Sequence, residues 1–371
     1  MGTREHAFVV GGGPAGLVAA IALCRKGLQV TVADGGDFPS DKACGEGILP
    51  EGLAALKRLG IALDWTEGRA FHGIRFVNEQ SSAEAVFGSR AGFGLRRITL
   101  HRQLIRTAEQ AGVSILRKTP VNGISNGRVS VGKDSFAADW IVGADGFRSQ
   151  VRRWSKLSQK KSKPVRYAFR QHFACEPWTN FVEVHWATKA QLYVTPVSSH
   201  EVGVVVLTRN PKLRLKEGLQ FFPIVRERLK NCEATTAERG AATENLSLPA
   251  VCSGNIALVG DASGTVDAIT GEGMSLAFQQ AEALAEAISR RDLSIYAAAH
   301  SRLRRRPIWM ARLLLTLQGQ PKLQERVLQI LAAEPELFQR MLAVHLGHES
   351  TFSLAAAGAR LGLLLLASNF S

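Results

Sequence analysis

The first 34 residues alternate between short apolar runs and a glycine-rich loop. Residues 6–10 (HAFVV) and 28–33 (LQVTVA) are apolar runs of strand length, and residues 14–25 (PAGLVAAIALCR) have the length and apolar spacing of a helix. A strand, a helix and a second strand in this order form a βαβ unit with parallel strands. The pattern therefore predicts an α/β fold built on a parallel sheet.

Elements of the same kind recur in two later stretches of the chain. The pattern predicts a helix at 98–110, strands at 113–116, 140–143 and 255–259, and an alanine-rich helix at 274–289. We expect these elements to belong to the same parallel sheet as the first unit. A long segment of the chain separates the earlier ones from the later ones.

The periodicity changes within that segment, between residues 165 and 210. The runs YAFRQHF, FVEVHW, LYVTPV and VGVVVL alternate apolar and polar positions and are separated by turns such as PWTN and SSHE. Such alternation is typical of antiparallel strands. We therefore predict a second domain, an antiparallel sheet inserted into the first.

The remainder of the chain has a helical pattern, which we expect Pro307, Pro321 and Pro335 to interrupt. The predicted organisation has three parts. They are a discontinuous nucleotide domain (1–75, 95–160 and 250–295), a sheet domain (76–94 and 161–249) and a helical region (296–371).

The loop after the first strand carries a dinucleotide fingerprint. Gly11, Gly13 and Gly16 have G-x-G-x-x-G spacing between a predicted strand and a predicted helix, and Pro14 and Ala15 lie inside the loop. The first glycine allows a tight turn, the second lets the backbone approach a pyrophosphate, and the third packs the helix on the strand. The N–H groups at the helix N-terminus then bind the phosphate charge.

Two carboxylates follow predicted strands of the same sheet. Asp34 ends the second strand, where it can accept hydrogen bonds from ribose hydroxyls, and this favours FAD or NAD over NADP. Asp261 ends a later strand, where it can bind ribityl hydroxyls, and the helix that follows can stabilise a reduced flavin. The predicted cofactor-binding residues of this later segment are Gly260, Asp261, Gly271, Gly273 and Met274.

With these motifs the sequence resembles the superfamily of FAD-dependent aromatic-ring monooxygenases and geranylgeranyl reductases. IVGADGFRSQVRR is similar to the family's DG motif, with Asp145 as its acid, and RRITLHRQL is similar to a family helix whose Arg97 lies against FAD. The resemblance implies a glutathione-reductase-type, Rossmann-like FAD-binding domain. It also implies an inserted antiparallel β-sheet substrate domain and a helical C-terminus.

The resemblance leaves two chemistries open. The turn CGEG at 44–47 and Gly264 are similar to reductases of prenyl-type C=C bonds, although Ala268 stands where their flavin loop has proline. The middle sheet is similar to hydroxylases of polyketides and phenolic lipids. The halogenase stretch W-x-W-x-I-P is absent from the sequence, which disfavours halogenation.

We expect a monooxygenase that hydroxylates an aromatic, polyketide or phenolic-lipid substrate with NAD(P)H as transient reductant and O₂. The alternatives are a geranylgeranyl-reductase-like enzyme and a non-catalytic flavin-binding redox module. In each case the cofactor carries most of the redox chemistry.

Polar residues of the middle sheet can bind or deprotonate a phenol. The candidates are Arg170, His172, Glu183, His185 and Tyr193. The two histidines alternate with apolar neighbours at strand period, which is equally typical of structural histidines. Cys44 is interpreted as a packing residue beside the flavin, or as a proton donor if the enzyme is a reductase.

Charge and composition bear on partners. Lys plus Arg exceed Asp plus Glu by 46 to 32, for a net charge of +14, which favours anionic partners. Aromatic residues do not interleave with the basic ones, so we expect no nucleic acid. The arginine cluster at 302–306 is interpreted first as a solvated helix face and second as a peripheral membrane contact.

The five cysteines are widely spaced, so neither a disulfide framework nor a metal site is expected. The sequence has no apolar run typical of a signal peptide or a membrane span, and we expect a cytoplasmic protein.

Overall fold

The computed structural model describes residues 4–158, 166–318, 320–349 and 351–367. The helices of these residues are α1 (Pro14–Arg25), α2 (Pro50–Arg58), α3 (Arg97–Gln110), α4 (Gln150–Trp154), α5 (Leu215–Gly218), α6 (Pro223–Arg228), α7 (Gly273–Ser289), α8 (Leu293–Leu317), α9 (Pro321–Ala333), α10 (Pro335–Leu346) and α11 (Thr351–Ala367).

The strands of the same residues form four sheets. They are β1 (His6–Val10), β2 (Gln29–Ala33), β3 (Gly47–Ile48), β4 (Arg69–Phe71), β5 (Gly73–Val77), β6 (Ser82–Val86), β7 (Gly92–Gly94), β8 (Ser114–Leu116), β9 (Val121–Ser125), β10 (Arg128–Val131), β11 (Asp134–Ala137), β12 (Trp140–Gly143), β13 (Arg166–Ala174), β14 (Phe181–Trp186), β15 (Ala190–Pro196), β16 (Glu201–Thr208), β17 (Glu233–Ala234), β18 (Arg239–Thr243), β19 (Cys252–Ser253) and β20 (Ile256–Leu258).

The first sheet has the strand order β19-β20-β12-β1-β2-β8, and all its pairs are parallel except β19 with β20. Ala7 and Val9 of β1 pack with α1, α3 and α7, whereas Phe8 and Val10 pack with the small antiparallel sheet β9–β11. Both faces of β1 are therefore buried. Burial on both faces explains why this strand is apolar at successive positions rather than at alternate ones.

The second large sheet has the order β17-β13-β16-β15-β14-β5-β6, with β18 also on β13. Its pairs are antiparallel except β14 with β5, which is parallel. Because β5 begins at Gly73, this sheet starts before the boundary at residue 76 that the sequence predicts. The short strands β3, β4 and β7 form a separate antiparallel sheet.

Helices cover both faces of the second sheet. Val184, Trp186 and Tyr193 pack in one apolar cluster with residues of α8 to α11, and Leu192 and Val194 pack in another with residues of α5 and α6. Successive side chains of a strand point to opposite faces, so β15 contributes to both clusters.

The prediction that Pro307 interrupts the C-terminal helices is wrong. Pro307 is buried inside α8, which continues to Leu317. A proline within a helix costs about 3 kcal/mol, and the packing of α8 against α7 and the second sheet offsets that cost. Pro321 and Pro335 lie at the starts of α9 and α10, where a proline costs nothing. No helix in the described part of the chain is long and apolar enough to cross a membrane.

The contact between α1 and β1 gives a stability prediction. A Cβ on Gly16 would lie 1.9 Å from the carbonyl oxygen of Gly11, whereas a Cβ on Gly123 would meet nothing within 4 Å. Gly16→Ala is expected to lower the free energy of unfolding by about 3 kcal/mol, because the backbone must move apart. Gly123→Ala is the matched control and should leave it nearly unchanged. Denaturant unfolding measures both, and equal stability of the two variants would contradict this packing.

Candidate active site

The glycine turn between β1 and α1 is closed on one side and open on the other. Gly11 has φ +109°, and a Cβ there would lie 2.4 Å from the carbonyl oxygen of Ala144. A Cβ on Gly13 would meet only Nη2 of Arg97, at 4.0 Å. The open side of the turn thus combines a guanidinium group with the N-terminus of α1, and a pyrophosphate fits such a place.

Asp34 holds this turn from the end of β2. Its Oδ2 accepts the N–H of Gly12 at 2.8 Å, and its Oδ1 accepts the N–H of Gly36 at 2.7 Å. Each carboxylate oxygen can accept a second hydrogen bond. Asp34 is half-buried, so a ribose hydroxyl can still reach it.

The helix α3 presents two basic side chains to the same turn. Nε2 of His101 lies 2.7 Å from the carbonyl oxygen of Gly12, and its Nδ1 accepts the N–H of Ser40 at 3.1 Å. Burial lowers the pKa of His101, so the ring is neutral near pH 7. Nε of Arg97 is buried and has no hydrogen-bond partner among the residues that the structure describes. A buried donor of this kind is costly to leave unpaired, and a bound phosphate group would satisfy it.

The second predicted cofactor segment, residues 260–273, meets the glycine turn. A Cβ on Gly260 would lie 2.7 Å from Cβ of Ala15. Asp261 is reached by solvent, yet the protein that surrounds it raises the pKa of its carboxyl by desolvation. A carboxylate that is enclosed but uncovered fits the floor of a cofactor recess.

This segment is tied to the second sheet despite Ala268 in the place of a proline. Asp267 accepts the N–H of Ile269 at 3.0 Å and forms a buried ion pair with Arg166 at 2.7 Å. The hydroxyl of Tyr193 donates to the carbonyl of Ile269 at 2.8 Å. Burial raises the pKa of Tyr193, so this predicted catalytic candidate stays protonated and positions the loop.

Asp145 of the DG motif lies in the loop before α4, whose N-cap is Ser149. Its carboxylate accepts the hydroxyl of Ser149 at 2.5 Å and the N–H groups of Gln150 and Val151 at 2.6 and 3.1 Å. The two backbone bonds satisfy the first N–H groups of the helix, which have no partner within it. The observed partners of Asp145 are therefore residues of the helix that follows it.

The CGEG turn carries a buried carboxylate. Glu46 is 1% exposed, and its Oε2 lies 2.5 Å from Nε2 of His172. Its Oε1 accepts the backbone N–H of Arg97 at 2.9 Å and lies 4.0 Å from Nε of Arg170. Arg170 also forms an ion pair with Asp41. Arg170 and His172, two of the predicted catalytic candidates, are fully buried in this network, which joins the turn to β13.

Cys44 packs at the same turn. Its Sγ lies 3.8 Å from Sδ of Met274 at the start of α7, and burial raises the pKa of the thiol. The side chain is therefore a neutral thiol near pH 7.

An apolar cavity of about 350 Å³ lies between the second sheet and the C-terminal helices. One end is formed by Gly45, Gly47 and Gly271, which belong to the CGEG turn and the second cofactor segment. The walls are mostly aliphatic and aromatic side chains of β14 and of α8 to α11.

Two of the predicted candidates point away from this cavity. Val184 and Trp186 of β14 line it, so Glu183 and His185 lie on the opposite face. There Nε2 of His185 lies 3.0 Å from Oε2 of Glu183, and the ring packs edge-on against Phe222. The sequence pattern did not identify which face of the strand meets the cavity.

Two polar residues beside the cavity were not predicted. His345 of α10 lines the cavity, and its Nε2 lies 3.6 Å from Oε1 of Glu272, the residue after Gly271. Burial raises the pKa of Glu272 to about 8, with a further contribution from the charge of Glu51, and lowers the pKa of His345 to about 4. Both groups are thus largely uncharged at pH 7.

Two of the three missed residues, His101 and Glu272, had a weak signal in the sequence. His101 is one helical turn from Arg97, so both face the same way. Glu272 lies inside the predicted cofactor segment, next to the glycines that were chosen. Only His345, on a helix far along the chain, had no local signal.

Comparison with known proteins bears directly on this site. The family described as FAD binding domain matches residues 4–291 of the chain. The cofactor recess described above lies within those residues, and its open glycine turn, unpaired Arg97 Nε and uncovered Asp261 fit FAD.

Two curated relatives and one solved structure are informative. The chain is 28% identical to menaquinone reductase of Mycolicibacterium smegmatis over 81% of this chain and 80% of the relative. It is 29% identical to a 2-heptyl-3-hydroxy-4(1H)-quinolone synthase of Rhodococcus erythropolis over 78% of this chain and 81% of the relative. A flavoprotein/dehydrogenase from Cytophaga hutchinsonii superimposes with a TM-score of 0.79 at 20% identity, over 92% of this chain and 93% of that one. This last likeness shows a shared fold.

The position of Asp34 gives a prediction for the cofactor. Asp34→Ala is expected to weaken FAD retention about tenfold or more, because it removes the ribose acceptor and frees the N–H groups of Gly12 and Gly36. Released flavin is measured by fluorescence after gel filtration. Asp37→Ala, an exposed neighbour, is the control. Unchanged FAD affinity in Asp34→Ala would contradict the assignment.

Proposed function

Because the chain belongs to the FAD-binding-domain family, we propose that it is an FAD-dependent monooxygenase that hydroxylates the aromatic ring of a substrate with a long apolar chain. NAD(P)H is the reductant and O₂ the oxidant. The observation that carries this proposal is the cavity, whose walls are mostly apolar and whose lining residue His345 lies beside Glu272 at the cofactor end.

The cavity favours an amphipathic substrate over a small polar one. Its volume of about 350 Å³ lies in the range of ligand pockets, and its walls offer almost no hydrogen-bonding group. Each buried methylene contributes about 0.8 kcal/mol, so an alkyl chain supplies most of the binding energy. A ring with a hydroxyl group then occupies the polar end.

The name of one relative supports this substrate class. The product named for the Rhodococcus relative has a ring that bears a hydroxyl group and a heptyl chain. An alkyl-substituted aromatic substrate of this general kind matches the division of the cavity into a polar end and apolar walls.

The residues of the chain have distinct tasks in this proposal. The turn from Gly11 to Gly16 and the N-terminus of α1 bind the pyrophosphate, and Asp34 binds the ribose. When bound, the flavin supplies the electron transfer and the oxygen chemistry. Helices α8 to α11 exclude water from the cavity, which strengthens the polar interactions at its end.

A second candidate function is the reduction of a prenyl-type C=C bond. The specific observations that favour it are the CGEG turn beside the cavity and the relative named menaquinone reductase. The same apolar walls suit an isoprenoid chain. In that chemistry Cys44 is placed at the cofactor end as a candidate proton donor.

One assay series separates the two functions. Purified holoenzyme is mixed with NADPH or NADH, under air and under nitrogen, with a long-chain alkylphenol or with a polyprenyl quinone. We expect a hydroxylated phenol only under air, and Cys44→Ser should retain most of that activity. Product that forms equally without O₂, with a large loss in Cys44→Ser, would establish the reductase instead. If neither substrate changes the rate of flavin reduction or reoxidation, a non-catalytic flavin module is favoured.

We also propose that the mouth of the cavity contacts an anionic lipid surface, from which such a substrate enters. The exposed residues Arg302, Arg305, Trp309, Arg312 and Thr316 are spaced three or four positions apart, so they form one stripe of α8. Trp309 and Thr316 also line the cavity. A tryptophan between arginines is typical of an interfacial anchor, and the charge of the stripe complements anionic headgroups.

The arginines of the cluster at 302–306 thus have two different environments. Arg304 is buried and donates to the carbonyl of Leu246 at 2.8 Å, whereas Arg302 and Arg305 are exposed. Only the exposed arginines are available to a lipid surface.

Vesicle sedimentation tests this contact. Arg302→Glu combined with Arg305→Glu and Trp309→Ser is expected to reduce binding to vesicles with phosphatidylglycerol about tenfold or more, because each basic residue contributes about 1 kcal/mol. Ile224→Ser with Arg226→Glu changes comparable exposed residues on α6 and should bind as wild type does. Equal binding by both variants would overturn the proposed surface.

A further inference from the structure

Glu272 and His345 lie beside each other at the cofactor end of the cavity. Side-chain exposure is 12% for Glu272 and 4% for His345, and most side chains that line the cavity are apolar. Oε1 of Glu272 and Nδ1 of His345 are both buried without a hydrogen-bond partner among the described residues. Leaving such buried atoms unpaired destabilises the protein, because the hydrogen bonds they made to water are not replaced. The pair therefore lacks partners that a bound molecule can supply.

The location of the pair limits what that molecule is. Thr270, Gly271 and His345 all line the cavity at the end formed by the second cofactor segment. A group bound there lies at the junction between the cofactor recess and the apolar walls. That is where the reacting end of an amphipathic substrate must lie.

We propose that a hydroxyl group on the substrate ring binds to this pair, donating its hydrogen to Glu272 and accepting one from the neutral imidazole of His345. The proton of the hydroxyl then passes to the carboxylate of Glu272. The bond that breaks is the substrate O–H and the bond that forms is the carboxyl O–H, so the substrate becomes a phenolate and Glu272 becomes neutral. His345 keeps its proton and positions the phenolate oxygen. This inference rests on the proposed function.

The charged groups around the pair agree with a base of this kind. Glu51 of α2 faces Glu272 and is itself paired with Arg90 at 3.0 Å and with His348 at 2.9 Å. Arg306 of α8 lies against Gly347, two residues after His345. The positive charges are thus held by Glu51 or at the helix end, and desolvation raises the pKa of Glu272 to about 8. A base of that pKa accepts protons efficiently near neutral pH.

The sign of the pH dependence follows. Glu272 can accept a proton only when it is ionised, so the hydroxylation rate should rise as pH increases through about 8. His345, with its pKa lowered to about 4, remains neutral throughout this range. Of the two residues, only Glu272 should therefore contribute its ionisation to the rise in rate.

A binding experiment tests the pair without turnover. Oxidised FAD-bound enzyme is titrated with 4-dodecylphenol and with its methyl ether, followed by the change in flavin absorbance. At pH 9, where Glu272 is ionised, wild type is expected to prefer the phenol about tenfold or more, because a hydrogen bond to a charged group is lost in the ether. Glu272→Gln and His345→Phe should lose most of that preference while binding the ether as tightly as wild type. His348→Gln changes a neighbouring exposed histidine and should keep the preference.

Turnover provides the second measurement. Glu272→Gln is expected to lower kcat for hydroxylation about a hundredfold, to raise KM about as much as it weakens phenol binding, and to flatten the rise in rate near pH 8. If the variants keep both the phenol preference and the pH profile of wild type, the pair has no such role. If the phenol preference behaves as expected but no O₂-dependent product forms, the hydroxyl-binding pair stands and the monooxygenase proposal fails.

Discussion

The buried carboxylate of Glu46 is the constraint on which the active region depends. An ionised group taken out of water must find charged and hydrogen-bonding partners, or its desolvation is not offset. Glu46 finds them in three separate places, namely the first N–H of α3, His172 on β13 and Arg170 beside it. This single side chain therefore holds the CGEG turn, the helix under the glycine loop and the second sheet in one arrangement.

That arrangement decides which surfaces meet. With the CGEG turn held against β13, Gly45 and Gly47 close one end of the cavity, and Thr195 of β15 donates to the carbonyl of Gly45 at 2.8 Å. The second cofactor segment is held to the same sheet through Arg166 and Tyr193. The recess and the cavity thus share a border because buried polar contacts link each loop to one sheet.

The sequence was informative wherever local chemistry demands particular residues. The βαβ unit follows from apolar periodicity, and Gly16 follows from the close approach of its Cα to the backbone of Gly11. The choice of catalytic candidates depended instead on which face of β14 meets the cavity. Alternation places Glu183 and Val184 on opposite faces but cannot say which face is covered by which helices, because that is set by residues more than a hundred positions away.

Long-range packing also explains why the helical position of Pro307 and the site position of His345 cannot be predicted from the local sequence. Pro307 is tolerated because α8 is buried against other elements. The local sequence indicates only that a proline destabilises a helix, and it does not show the packing that offsets this effect. His345 sits in the last turn of α10 among apolar residues, where it resembles a packed core histidine. Its significance comes from Glu272, a residue of another element that it meets only in the folded chain.

The cofactor site and much of the cavity wall come from different parts of the chain, and this limits what relatives can indicate about the substrate. The family match ends at residue 291, just before α8 begins at Leu293. The glycine turn, Asp34, the CGEG turn and the second cofactor segment all precede that point, whereas α8 to α11 provide much of the cavity wall. A fold can keep its cofactor site while its substrate walls change, so a shared FAD domain is compatible with both a quinolone synthase and a menaquinone reductase among the relatives. The identity of the substrate must therefore be argued from the cavity as this chain builds it, namely from the mostly apolar walls to which α8 to α11 contribute and from the end where His345 meets Glu272 of the second cofactor segment.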